Sequence, residues 1–140
     1  CYLWRPSWHR RHTGAGVMLK GSCNCRAVTF TVRNVIRASA CHCTQCRKQS
    51  GHHWASGLVA DEDLTTQGEV RWYASSDVAR RGFCPTCGSF LFWKMDSEPK
   101  ISFSIGLIDG PSGIRLERHI FTADKGDYYD IADDVPQREN

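Results

Sequence analysis

The sequence predicts the all-β class: a β-rich domain with few and short helices. Three observations carry that expectation. Apolar and polar residues alternate over several short runs, Gly and Pro break the chain every few residues, and helical periodicity is thin.

In residues 27–32, Val28, Phe30 and Val32 fall on one face of an extended chain and Thr29 and Thr31 on the other. Residues 70–74 (VRWYA) and Phe90–Met95 (FLFWKM) are rich in the aromatic and branched side chains that strands favour. Residues 101–107 alternate most cleanly, with Ile101, Phe103, Ile105 and Leu107 opposite Ser102, Ser104 and Gly106. Turns are expected at Gly68, Gly82, Pro85, Gly88, Pro99 and the run Asp109-Gly110-Pro111-Ser112-Gly113. Helix is expected only as about two turns after Cys43 (TQCRKQS) and one turn at residues 60–64.

The chain has 140 residues, 41% apolar and 24% charged, with 8 Cys, 6 His and a net charge of +3. A chain of this length forms one domain and buries roughly two thirds of its unfolded surface. Its apolar content excludes disorder, and no run of ~20 apolar residues crosses a bilayer.

Residues 1–17 contain Arg5, Arg10 and Arg11 and no acidic residue, so the rest carries 15 basic and 15 acidic side chains. A neutral domain argues against a nucleic-acid partner, whose affinity comes largely from phosphate neutralisation. The segment CYLWRPSWHRRHTGAGV has no strand or helix period and lacks the apolar core of a secretory signal. It reads as an appended or mis-started leader, with the domain spanning residues 18–136 from Met18 and a short tail at 137–140. The alternative is an arm whose Trp4, Trp8 and arginines cover a surface or partner. With no signal, the expected compartment is the cytoplasm, where thiols stay reduced.

Seven cysteines remain after Cys1, an odd number that disfavours a purely disulfide framework. They form three clusters: Cys23-Asn24-Cys25, Cys41-His42-Cys43-Thr44-Gln45-Cys46, and Cys84-Pro85-Thr86-Cys87-Gly88. In Cys-x-Cys on an extended chain both sulfurs point the same way. In Cys-x-x-Cys the chain folds into a knuckle. Zinc takes four ligands, so seven thiolates divide naturally into four and three. The middle cluster alone supplies three, and the outer pairs together supply four. Buried free thiols, a redox Cys-x-x-Cys and an iron–sulfur cluster are the competing readings. Thiols buried for packing do not cluster this way, and the βαβ context of the redox motif is missing.

The order of motifs resembles a known family. Gly21-Ser22-Cys23-x-Cys25, Cys41-His42-Cys43-x-x-Cys46-Arg47 with Gly51, and Arg81-x-Phe83-Cys84-x-x-Cys87-Gly88-Ser89-x-Leu91 are followed by Gly106-x-Ile108-Asp109 and His119-Ile120-Phe121. Together they resemble the glutathione-dependent formaldehyde-activating enzymes, a family that includes centromere protein V. The resemblance implies an Mss4-like zinc-binding β fold and two Zn²⁺ per chain. It implies a structural zinc on Cys23, Cys25, Cys84 and Cys87 and a catalytic zinc on Cys41, Cys43 and Cys46. It also implies a carbon–sulfur lyase handling S-hydroxymethylglutathione, with a small thiol or glutathione adduct as partner. The sequence departs in having Tyr128 and Tyr129 where the family often has Trp.

Three thiolates leave a zinc site with a net charge of −1, which blunts its power to ionise water. A soft thiol ligand suits such a site better. The expected role is therefore to hold a substrate sulfur ionised. Arg47, Lys48, Arg80 and Arg81 are candidates to offset the thiolates or grip carboxylates. His42 should point away from the metal, His52, His53 and Trp54 either line the site or pack beneath it, and Asp109 reads as a turn residue. His119 is a further candidate for the pocket. Besides the enzyme, a zinc-stabilised binding module and a zinc-ribbon nucleic-acid binder stay open. An intact three-cysteine motif argues against the first and neutral charge against the second.

Overall fold

The computed structural model describes residues 17–140, so all of the expected leader except Val17 lies outside the described residues. Ten short strands form two sheets. The smaller sheet comprises β1 (Leu19–Ser22), β2 (Thr29–Val32) and β5 (Leu64–Gln67), antiparallel in the order β1-β2-β5. The larger contains β3 (Arg37–Cys41), β4 (Trp54–Ala60), β6 (Arg71–Ala74), β7 (Ala79–Phe83), β8 (Phe90–Met95), β9 (Lys100–Ser104) and β10 (Arg118–Ile120). Its order is β10-β3-β4-β9-β8-β7-β6, antiparallel throughout except for the parallel pair β10 and β3.

The main core lies between the sheets. Val28, Phe30 and Val32, the alternating face of the small sheet, pack on Val59, Leu91, Phe92 and Phe103 of the large one. Phe30 meets Phe92 edge-to-face with centroids 5.4 Å apart, a favoured aromatic geometry. Gly57 sits opposite Phe103 in the ladder, and a Cβ built there would lie 2.5 Å from the Phe103 ring. The ring covers the glycine, so any side chain at this position would force the two strands apart.

On β9 the alternation sends Ile101 and Phe103 into the core and Ser102 and Ser104 to the other face. That face is not open solvent, since Ser39, Ser102 and Ser104 are all buried. β3 and β4 are built mostly from small residues (RASAC, WASGLVA).

The strand expected over residues 101–107 ends at Ser104. Residues Ile105–Leu107 form a 3-10 turn instead, closed by the Ile108 N–H on the Ile105 carbonyl. The expected helix after Cys43 is α1 (Thr44–Ser50), capped at its end by Gly51 at φ +85°. The expected single turn is the 3-10 segment Asp61–Asp63. Strand β6 has all four residues exposed at the sheet edge. The chain end is hydrogen-bonded to β10: the His119 N–H donates to the Pro136 carbonyl at 2.8 Å, and the Arg138 N–H to His119 at 2.8 Å. Among the described residues, no helix is long and apolar enough to cross a membrane.

Candidate functional site

The fold gathers the seven cysteines into two groups, one of four and one of three, each with its sulfurs within 4.8 Å of one another. Cys23 and Cys25 leave β1 in a turn, and Cys84 and Cys87 form a knuckle after β7. In that knuckle the Gly88 N–H closes on the Cys84 carbonyl at 2.9 Å, and Gly88 takes φ +78°, a left-handed conformation open to glycine at little cost. Cys23 and Cys25 sulfurs are 3.6 Å apart, and Cys25 and Cys84 sulfurs 3.8 Å. A disulfide requires about 2.05 Å. Sulfurs around one tetrahedral ion at ~2.3 Å lie about 3.8 Å apart. The geometry fits a shared ion.

Backbone donors orient the group: the Val28 N–H points at Cys23 Sγ (3.3 Å) and the Cys87 N–H at Cys84 Sγ (3.5 Å). Cys23 and Cys84 belong to the main core, so this cluster ties the small sheet to the end of β7. All seven described cysteines are unbridged.

The second group forms where β3 runs into α1. Cys41 ends β3, Cys43 caps α1 by accepting from the Cys46 N–H at 3.4 Å, and Cys46 lies one turn along, buried. Hydrogen bonds from Cys41 and then Cys46 pull the Cys43 thiol down to about 2, with the Arg81 charge adding to the effect. Cys41, on the donating side of that pair, is pushed up. Cys46 is raised as well, so within the group the thiolate character settles on Cys43.

Arg81 explains part of this. It is only 4% exposed, its Nη1 reaches Cys46 Sγ at 3.5 Å, and its Nη2 donates to Gln45 Oε1 at 3.2 Å. The guanidinium also lies 5.6 Å from the Phe90 ring centroid. A buried cation with no carboxylate in reach is costly unless anions sit beside it, and here the anions are thiolates.

Unlike the first group, these three cysteines border a cavity of about 590 Å³ on the polar face of the large sheet. Trp54 and Trp93 give it apolar surface and Ser39, Ser56 and Ser102 a hydroxyl floor. Trp54 stacks on Phe90 at 4.3 Å and donates its indole N–H to Ser104 at 2.7 Å, so its orientation is fixed. Arg37 and Arg118 line the same cavity.

The remaining candidates separate. His42 turns away from the three sulfurs. It hydrogen-bonds the Tyr129 hydroxyl, and its Nε2 pairs with His119 Nδ1 at 2.8 Å. His119 in turn reaches Asp133 with both oxygens at 3.0 Å. Burial and then the neighbouring His53 hold His42 down at about 4, so it is neutral at physiological pH. This chain of side chains lies outside the cavity, and so do His52 and His53, whereas Trp54 lines it. Asp109 accepts from Ser22 Oγ at 2.9 and 3.0 Å, latching the turn onto β1. Arg80 pairs with Asp96 at 3.1 Å and covers Trp72, and Lys48 is exposed; neither meets a sulfur.

The hydroxyl floor, Arg37, Arg118 and the Tyr129–His42–His119–Asp133 chain are not evident in the sequence. Each is assembled across strands or from the chain end, and only the His119-Ile120-Phe121 motif hinted at the last.

A family model described as glutathione-dependent formaldehyde-activating enzyme matches residues 18–124. An uncharacterized lyase of Schizosaccharomyces pombe (strain 972) is 28% identical over 116 residues, covering 81% of this chain and 85% of that protein. A crystal structure of a Rhodobacter sphaeroides protein superposes with a TM-score of 0.57 at 24% identity, covering 66% of this chain and 90% of the other. The fold is the β-rich, Mss4-like one that the resemblance implies. The family match spans both cysteine groups and every strand from β1 to β10, and on that extent the chain belongs to the family of glutathione-dependent formaldehyde-activating enzymes.

Proposed function

We propose that this protein is a zinc-dependent carbon–sulfur lyase-type enzyme acting on a glutathione–aldehyde adduct of the S-hydroxymethylglutathione kind. The observation that carries this reading is the contrast between the two cysteine groups. Four thiols close on one another, while three stand at the edge of a cavity with room for a further ligand. In this reading Cys23, Cys25, Cys84 and Cys87 hold a structural zinc, and Cys41, Cys43 and Cys46 a catalytic one. The lyase name of the yeast relative and the family description point the same way. Reduced, unbridged thiols suit a cytoplasmic setting.

Bound at the three cysteines, zinc supplies a positive charge that favours the ionised form of a substrate sulfur. The protein's own groups do the rest. Arg81 offsets the thiolate charge from behind and holds Cys46 in place. Trp54 and Trp93 shield the reacting sulfur from bulk water.

In the forming direction a sulfur lone pair makes the new C–S bond and the carbonyl π pair moves onto oxygen. The proton given up by the thiol balances that oxygen, so no net acid or base is consumed; cleavage is the reverse. Replacing the zinc by cobalt and titrating glutathione tests this. A shift in the visible and thiolate charge-transfer bands, lost in Cys43→Ala, supports sulfur entering the three-cysteine site. An unchanged spectrum at saturating glutathione rejects it, leaving a non-catalytic zinc-stabilised module as the better reading.

A further inference from the structure

The cavity beside the three cysteines has a charged end that the reaction chemistry does not use. Arg37 and Arg118 both line it, and both are half-buried. Strand register explains why they meet. Arg118 on β10 lies opposite Ser39 on the parallel strand β3, and Arg37 is two residues before Ser39 on the same face. Cys41 is two residues beyond Ser39, again on that face. With a rise of about 3.3 Å per residue, the arginine positions lie roughly 7 to 13 Å along the strand from Cys41.

Among the described residues, neither guanidinium has a carboxylate within ion-pair distance. The ion pairs of the described residues are Arg33–Asp63, Arg80–Asp96, Lys94–Asp61 and His119–Asp133. The one side-chain hydrogen bond recorded for either arginine runs from Arg118 Nε to Ser39 Oγ at 3.1 Å. Burial, followed by the like charges of Arg37 and Arg138, lowers the Arg118 pKa, and the opposite charge of Glu117 offsets this only in part. The acidic residue among the cavity's lining, Asp124, lies four residues beyond Ile120, which is opposite Cys41. The carboxylate therefore enters from the cysteine end of β10, and the arginines stand at the other. Two cations facing each other over a partly desolvated floor repel, and an anion placed between them relieves that repulsion.

We propose that Arg37 and Arg118 form an anion-binding end of the cavity, selecting thiols that carry a carboxylate at their far end. This rests on the reading of Cys41, Cys43 and Cys46 as the place where the substrate sulfur docks. A tripeptide extends at most about 10 Å, which matches the span from the sulfurs to the arginines. Between the two ends, Ser56 and Ser102 offer hydroxyls to the amides of such a ligand. A short neutral thiol would fill only the cysteine end.

The test is calorimetric titration of the zinc-loaded protein with glutathione, its diethyl ester and S-methylglutathione, against wild type, Arg37→Gln and Arg118→Gln. A hydrogen bond to a charged group sets the scale of each loss at about 10-fold or more. Glutathione should bind wild type at least ~10-fold tighter than the ester, each variant should lose about that factor for glutathione, and the ester should be indifferent to both variants. S-methylglutathione, which has no free thiol, should keep its dependence on the arginines. Equal affinities for glutathione and ester would overturn the proposal. So would undiminished binding of glutathione to folded variants, or no measurable binding of either carboxylate ligand. If glutathione leaves the cobalt spectrum unchanged while S-methylglutathione still needs the arginines, the sulfur-docking reading fails and the anion site stands.

Discussion

At the scale of single residues, Arg81 ties the chemistry to the fold. It comes from the middle of β7, faces the cavity across from Trp93, and ends on Cys46. Hydrogen bonds to charged groups contribute about 1.5–3 kcal/mol, so Arg81→Gln should reduce turnover of a glutathione adduct by about 10- to 100-fold. Arg81→Lys keeps the charge without the fork that also holds Gln45, and should recover only part of the loss. Steady-state kinetics on both variants, with circular dichroism to confirm folding, measures this. Wild-type rates in Arg81→Gln would remove the residue from the account. The cysteines were legible in the sequence because their spacing is local: each cluster is set within six residues. Arg37 and Arg118 were not, because 81 positions separate them and only the pairing of β10 with β3 makes them neighbours.

Among the elements, strands with one wet face are clear in the sequence, and strands set between the core and the cavity are not. Residues 28–32 alternate because β2 backs the core on one side only, and the structure buries Val28, Phe30 and Val32. Strands β3 and β4 carry mostly Ala, Ser and Gly at the sheet centre, where one face meets the core and the other lines the cavity, so large side chains follow no period of two. The strand expected through Leu107 stops early because the chain turns at Ile105–Leu107 to bring Asp109 onto Ser22.

The two cysteine groups also differ at this scale. Cys23 and Cys84 are part of the core that joins the sheets, and Cys43 caps a seven-residue helix at the cavity rim. Structural zinc contributes on the order of 10 kcal/mol or more to a small domain, comparable to its whole stability. Cys84→Ala should therefore leave little soluble protein. Cys43→Ala should fold, melt within a few degrees of wild type and lose activity. Soluble yield and thermal unfolding of the pair decide it, and equal folding of the two variants would contradict the division of roles.

For the whole molecule, the large sheet divides the work between its faces. One face packs Phe92, Phe103 and Val59 against the small sheet and supplies stability. The other carries Trp54, the serines, Arg81 and the three cysteines around a cavity, and is available for chemistry. The β-rich class was legible from alternation and turn residues, and the membership of this family from motif order. The cavity was not, since its lining is drawn from six strands of one sheet. The central claim is that one metal site is closed and one open. It is tested most directly by counting zinc per chain, by elemental analysis, before and after brief exposure to a mild chelator. The account predicts two zincs falling to one, with the fold retained. A single zinc that resists the chelator, or two that leave together with unfolding, would contradict it.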